Sequence, residues 1–172
     1  MDEKRPDLFR HTMRYGLFMG ALFSANFLLS TLGGIGGMIS YFVMGAIIYF
    51  TYNITVLFRE SECNGELTYG KGLRYVLLLY FFAAIISSVV KYVYFNWVNP
   101  EYLSNLLNQS MQVFESMSMP EEQMTTSINL LNKMMSPAFY AMQTLWMNVF
   151  MGLLVGLVMA AFTKKEKNLF EE

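Results

Sequence analysis

The run GLLVGLVMAAF, from Gly152 to Phe162, is apolar on every side of a helix. A helix on the surface of a water-soluble protein keeps a polar face, so this run demands lipid or a deep core around it. It belongs to one of four apolar stretches that approach the roughly 20 residues needed to cross hydrocarbon. These run from Tyr15 to Leu32, Ile35 to Phe58, Tyr75 to Val98 and Phe139 to Phe162, and none contains proline. Charged residues make up only 15% of the 172-residue chain, against about 25% in soluble domains. The predicted fold class is all-α: an integral membrane bundle of four transmembrane helices forming a single membrane domain over residues 1–172. An extracytoplasmic amphipathic helical segment is expected between helices three and four.

The flank MDEKRPDLFRHTMR mixes acids with bases and no small-x-small site follows the first span, so that span reads as a retained helix and not as a cleaved signal. Basic residues set orientation in membranes. Lys4, Arg5, Arg10 and Arg14 precede the first span; Arg59, Lys71 and Arg74 flank the loop between the second and third; Lys164, Lys165 and Lys167 follow the fourth. The first loop, LGGIGG, has no base. Both termini are therefore expected in the cytoplasm.

Lys91 interrupts the third span beside Tyr92, Tyr94, Phe95 and Trp97. Aromatic residues gather at membrane–water interfaces, and a lysine one turn inside can extend its amine outward along its methylene stem. Lys91 is expected to be such an interface charge, and with no Asp or Glu in any span a carboxylate-driven pump or proton relay is disfavoured.

Lipid offers no hydrophobic drive for helix association, so small residues must let backbones approach. The fourth span carries Thr144, Asn148, Gly152, Gly156 and Ala160 at spacing four, the first carries Gly16, Gly20 and Ser24, and the second adds Gly37 and Gly45. Gly16, Gly20, Asn148, Gly152 and Gly156 are the expected packing positions. The amides Asn26, Gln143 and Asn148 are expected to face other helices and bond across them.

Familiar chemical motifs lead nowhere. GELTYGKG, from Gly65 to Gly72, matches GxxxxGK, but Gly72 replaces the magnesium-binding Ser or Thr and no strand precedes it; it reads as a flexible glycine-rich turn. The 15 Met residues include Met111, Met117, Met119, Met124, Met134 and Met135. Thioethers suit copper(I), yet Met also fills apolar helix faces. His11 is the sole histidine and Cys63 the sole cysteine, which excludes a histidine-based metal or acid–base site within one chain and any internal disulfide. No metal, cofactor or catalytic residue is expected. The net charge of -1 gives no reason to expect nucleic acid.

Between the third and fourth spans, residues 99–136 read as an outer helical cap. Pro100 and Glu101 suit a helix start, after which Leu103, Leu106, Leu107, Met111, Phe114 and Met117 recur at threes and fours. Ser118 and Glu121 form a capping box, followed by a second face of Met124, Ile128, Leu131 and Met135, and Ser136-Pro137 opens the fourth span. Leu107, Met111, Phe114, Ile128 and Leu131 form the candidate partner surface. The polar positions Asn105, Gln109, Gln112, Ser116 and Asn129 are expected to face away from it.

The order of YGLFMGALF behind a basic N-terminus, LTYGKGLRY, NWVNPEYL, a helical segment and the closing GLLVGLVMAAFTKK resembles a bacterial membrane family catalogued as domain of unknown function 4199, of Bacteroidota type. The resemblance implies a bacterial inner-membrane protein and brings no activity, cofactor or catalytic residue with it. The expected role is a non-enzymatic accessory, scaffold or assembly component. Its expected partners are the lipid bilayer, a membrane or periplasmic protein, or further copies of itself. The alternative is a small transporter or channel acting as an oligomer, with an intramembrane enzyme a third class.

Overall fold

The computed structural model describes residues 7–116 and 121–165. They are almost entirely helical: α1 Leu8–Thr31, α2 Gly34–Glu62, α3 Tyr69–Val93, α4 Glu101–Ser116, α5 Glu121–Met134 and α6 Pro137–Thr163, with a π-helical turn Tyr94–Val98 closing α3. Three helical stretches are long and apolar enough to cross a membrane: Gly34–Glu62, Tyr69–Val98 and Pro137–Thr163. The chain thus fits a multi-pass membrane protein. α1 has 24 residues, but Arg10, His11 and Arg14 occupy its first turns, so its apolar part begins only at Tyr15.

Local chemistry explains the boundaries. Asp7 caps α1, its carboxylate accepting from the Arg10 backbone N–H at 3.1 Å. α1 therefore starts well before the first expected span. Gly33 and Gly34 take positive φ values of 63° and 45°, a conformation open to glycine at little steric cost. Two residues, Leu32 and Gly33, thus suffice to separate α1 from α2, and most of the expected LGGIGG loop is helix. Gly36 is required there as well: a Cβ on it would lie 2.7 Å from the Leu29 carbonyl oxygen. α2 ends where the Arg59 carbonyl accepts from both the Cys63 and Gly65 N–H groups, at 3.2 and 2.9 Å, with Asn64 and Gly65 at positive φ. Gly70, Lys71 and Gly72 belong to the first turn of α3. The flexible turn expected over Gly65 to Gly72 is thus a short connection followed by helix.

The chain clusters into two compact units, Met1–Ser87 with Trp146–Glu172, and Ser88–Leu145. In the first unit α1 packs against α2. α1 buries one stripe, Thr12, Gly16, Met19, Gly20 and Ser24, and α2 buries Ile47, Thr51, Ile54, Thr55 and Phe58; both stripes step by threes and fours, the spacing of one helix face. From α3, Tyr75, Val76, Leu79, Tyr80 and Ala83 join the same core, and Met159 comes from α6. Outside that core each helix presents large apolar side chains such as Leu17, Phe42, Phe81 and Phe150 to its surroundings. This is the inverse of a water-soluble surface, where exposed apolar patches are small.

In the second unit, Phe95 of the π turn is buried, its ring 5.6 Å from Tyr102 and 5.0 Å from Tyr140. Lys91, on the last turn of α3, is half-buried. α4 packs against α5. Leu103 is buried and Leu106, Leu107, Met111, Ile128 and Leu131 are half-buried, whereas Asn105, Gln109, Gln112, Ser116 and Asn129 are exposed. The apolar residues left most open on this hairpin are Val113, Leu130 and Met134. They do not include the candidate partner residues Leu107, Met111, Ile128 and Leu131. The side chain of Phe114, the Ser118–Glu121 capping box, Met117 and Met119 lie outside the described residues.

Candidate functional site

Four helix ends converge in the first unit. The start of α1 meets the start of α3 through His11 and Tyr75, whose Nδ1 and hydroxyl are 2.7 Å apart. The end of α2 meets the end of α6 through Arg59, whose Nη1 donates to the Thr163 carbonyl at 3.0 Å. The turn before α3 meets the second residue after α6 in a two-bond antiparallel bridge: Leu67 N–H to the Lys165 carbonyl at 2.8 Å, and Lys165 N–H to the Leu67 carbonyl at 2.9 Å.

The His11 imidazole sits in an aromatic box. Its ring centre is 4.5 Å from Tyr15, one turn along α1, and 5.3 Å from Phe58 of α2. Phe58 and Tyr75 stack at 4.2 Å with planes 14° apart. Both are essentially fully buried, so the Tyr75 hydroxyl must find its partner inside the protein. Burial lowers the His11 pKa below its ordinary 6.5; Glu62 opposes this by attraction and Arg14 adds to it by repulsion. The neutral imidazole has one acceptor nitrogen; in the tautomer that leaves it at Nδ1, the buried phenol donates to it. Cys63 is half-buried, and that burial pushes its thiol pKa up, with Lys71 working against it; a thiol so held is a poor nucleophile. Among the described residues, no three His, Cys, Asp or Glu side chains form a group that could hold a metal ion. The arrangement clasps helices together.

The glycines of α1 and α6 both serve α3. A Cβ on Gly16 would come within 2.6 Å of the Phe82 Cβ, and one on Gly20 within 2.7 Å of the Ile86 Cβ. A Cβ on Gly152 would collide with the Tyr80 side chain, and one on Gly156 would meet Leu73 Cδ1 at 3.0 Å. Tyr80 therefore touches every neighbouring helix: α6 through Gly152, α1 through the Phe23 ring at 5.3 Å, and α2 through Thr51 Oγ1 at 3.2 Å. Gly37 and Gly45 of α2 differ, since among the described residues a Cβ on either meets nothing within 4 Å.

The amides do not behave as expected. Gln143 is exposed and Asn148 half-buried. Among the described residues, neither they nor Asn26 bonds across helices, and Asn26 Oδ1 is buried without a partner. Residues that do bond between helices include His11, Thr51, Arg59 and Tyr69, the last donating to the Leu157 carbonyl at 3.2 Å. Ser24, Thr51, Thr55 and Thr163 each satisfy a hydroxyl on a carbonyl four residues back, so hydroxyls sit in the core without needing a cross-helix partner. The His11–Tyr75 pair escaped the sequence reading because nothing local links two positions so far apart. The one available signal was His11 and Tyr15 sharing a helix face at spacing four.

No match is found among curated proteins or among solved structures. The model of one family, described as a protein of unknown function (DUF4199), matches residues 14–165. That match takes in the glycine positions of α1 and α6, Tyr75, Tyr80, and both residues of the Leu67–Lys165 bridge, and the chain belongs to the DUF4199 family.

Proposed function

We propose that this chain is a non-enzymatic, multi-pass protein of the bacterial inner (cytoplasmic) membrane, serving as an accessory, scaffold or assembly component. In this reading it has four spans, α1 being the first, and both termini lie in the cytoplasm. One observation carries the reading: the converging helix ends gather the basic residues Arg10, Arg14, Arg59, Lys71, Arg74, Lys164 and Lys165 at one end of the first unit, whose described residues hold no Lys or Arg elsewhere. Bases concentrate on the cytoplasmic side, and Asp7 and Lys165, the first and last described residues, lie at the helix ends that carry them. The bacterial setting is part of the proposal and is supported by the family resemblance of the sequence. The non-enzymatic role is supported by the chemistry of the two most reactive side chains: the only imidazole is committed to Tyr75, and Cys63 is held as a thiol.

Alkaline-phosphatase fusions test the orientation. A fusion after Asn129 should be active and one after Lys164 inactive; the reverse pattern overturns it. Crosslinking before purification tests the role, because a scaffold recovers a distinct membrane or periplasmic partner in stoichiometric amount. Solute flux through liposomes holding the protein alone, with no partner recovered, would replace this reading with the transporter or channel.

A further inference from the structure

We propose that the corner where the start of α3 meets the end of α6 is a docking surface for the headgroups of anionic phospholipids. The bridge between Leu67 and Lys165 holds Lys164 and Lys165 beside the turn that leads into Lys71 and Arg74. Gly72 reinforces the contact: a Cβ there would lie 3.4 Å from the Ala160 Cβ, an ordinary van der Waals distance. All four bases are exposed. Among the described residues none of the four forms an ion pair, whereas Arg10 is paired with Asp7 at 3.3 Å and Arg59 with Glu60 at 2.8 Å. The exposed acid of the same turn is Glu66, so the corner keeps a surplus of positive charge.

The second half of the argument is apolar. Phe162, two residues before Lys164, is strongly exposed, and Val158 and Leu157 continue that open apolar surface along α6. Tyr69 stands at the start of α3, its hydroxyl fixed on the Leu157 carbonyl. A strip that is apolar along the helix and basic at its end complements a ligand with acyl chains and a negative head. A soluble acidic protein would match the bases and leave the strip unmatched. Bases near a membrane surface attract anionic lipid with an effect of about fivefold in affinity each. The proposal requires the chain to sit in lipid and does not require the accessory role, so finding or failing to find a protein partner leaves it untouched.

The test is native mass spectrometry of the full-length protein in a non-ionic detergent, with phosphatidylglycerol or phosphatidylethanolamine added. The wild type should retain phosphatidylglycerol preferentially, and the preference should shrink as salt is raised. Lys71→Gln with Arg74→Gln, and separately Lys164→Gln with Lys165→Gln, should each weaken phosphatidylglycerol retention by about 30-fold. Arg10→Gln with Lys133→Gln removes as much charge elsewhere and should leave retention unchanged. The two test pairs come from different helices, so if one fails to fold the other decides. Equal retention of the two lipids by the wild type would overturn the proposal. So would wild-type retention in a folded test pair, or an equal loss in the control pair.

Discussion

The Nδ1 of His11 and the hydroxyl of Tyr75 stand 2.7 Å apart, joining the starts of two helices 64 residues distant in sequence. A neutral imidazole with Nδ1 unprotonated accepts from the buried phenol, whereas protonation makes Nδ1 a donor and leaves the phenol O–H without that acceptor. The pair's contribution to stability therefore depends on pH. The folded state lowers the His11 pKa, chiefly through burial, so the unfolded chain binds the proton more readily. Stability is full above about pH 6.5, the unfolded value, and is lost as pH falls through the lower pKa of the folded state. Thermal unfolding in detergent between pH 5 and pH 8 should show this decline in the wild type and a flatter profile in His11→Gln. An equally steep decline in His11→Gln would place the effect elsewhere.

Tyr75→Phe isolates the hydrogen bond from the aromatic box, because the Phe58 stack at 4.2 Å survives the change. The loss should be about 1 kcal/mol, read as a lower melting temperature. Tyr75→Leu removes the stack as well and should be the more damaging of the two.

The glycines separate into two kinds, which yields a paired prediction. Gly152→Leu and Gly156→Leu drive side chains into Tyr80 and Leu73 respectively, and overpacking of this kind costs about 1–3 kcal/mol. Folding yield in detergent should fall for both, more steeply at Gly152. Even Gly152→Ala should destabilise, since the first added carbon already collides. Gly37→Ala and Gly45→Ala meet open space and should leave the melting temperature unchanged or slightly higher, alanine being the better helix former. Destabilisation by Gly45→Ala equal to that of Gly152→Ala would refute the division.

Arg59 binds the Thr163 carbonyl at the last turn of α6, where a cation also complements the helix dipole. Arg59→Gln should loosen the end of α6 and the bridge that follows it. Trypsin should then cut after Lys164 or Lys165 faster than in the wild type, while the helical content measured by circular dichroism stays the same. An unchanged cleavage rate would mean that the Leu67–Lys165 bridge alone holds the segment.

Thr51 and Tyr80 test how much a buried hydroxyl pair contributes in this core. Thr51 already donates to the Ile47 carbonyl at 2.8 Å, so Tyr80 is the donor to Thr51. Tyr80→Phe should cost only about 0.6 kcal/mol, the typical value for such a bond between membrane helices. Tyr80→Ala opens a void facing α1, α2 and α6 together and should impair folding outright.

The helices were legible in the amino-acid sequence because each is encoded locally. Apolar runs long enough to cross hydrocarbon, Pro137 at a helix start and the recurrence of Leu103, Leu107 and Met111 all concern residues within a few turns of one another. Small residues at spacing four could be read as contact positions for the same reason. Which contact each one makes could not be read, because a glycine records only that a backbone can approach and not whose. Gly16, Gly152 and Gly45 look alike in the chain, yet the first two lie against α3 and the third meets nothing within 4 Å. The expectation for the amides failed on the same ground: polarity at membrane depth calls for satisfaction, but it does not choose the partner, and His11, Thr51, Arg59 and Tyr69 are among the residues that bond between helices. The clasp at His11 and the basic corner at Lys71 and Lys165 exist only because the tertiary packing brings distant helix ends together, and no local periodicity carries that information.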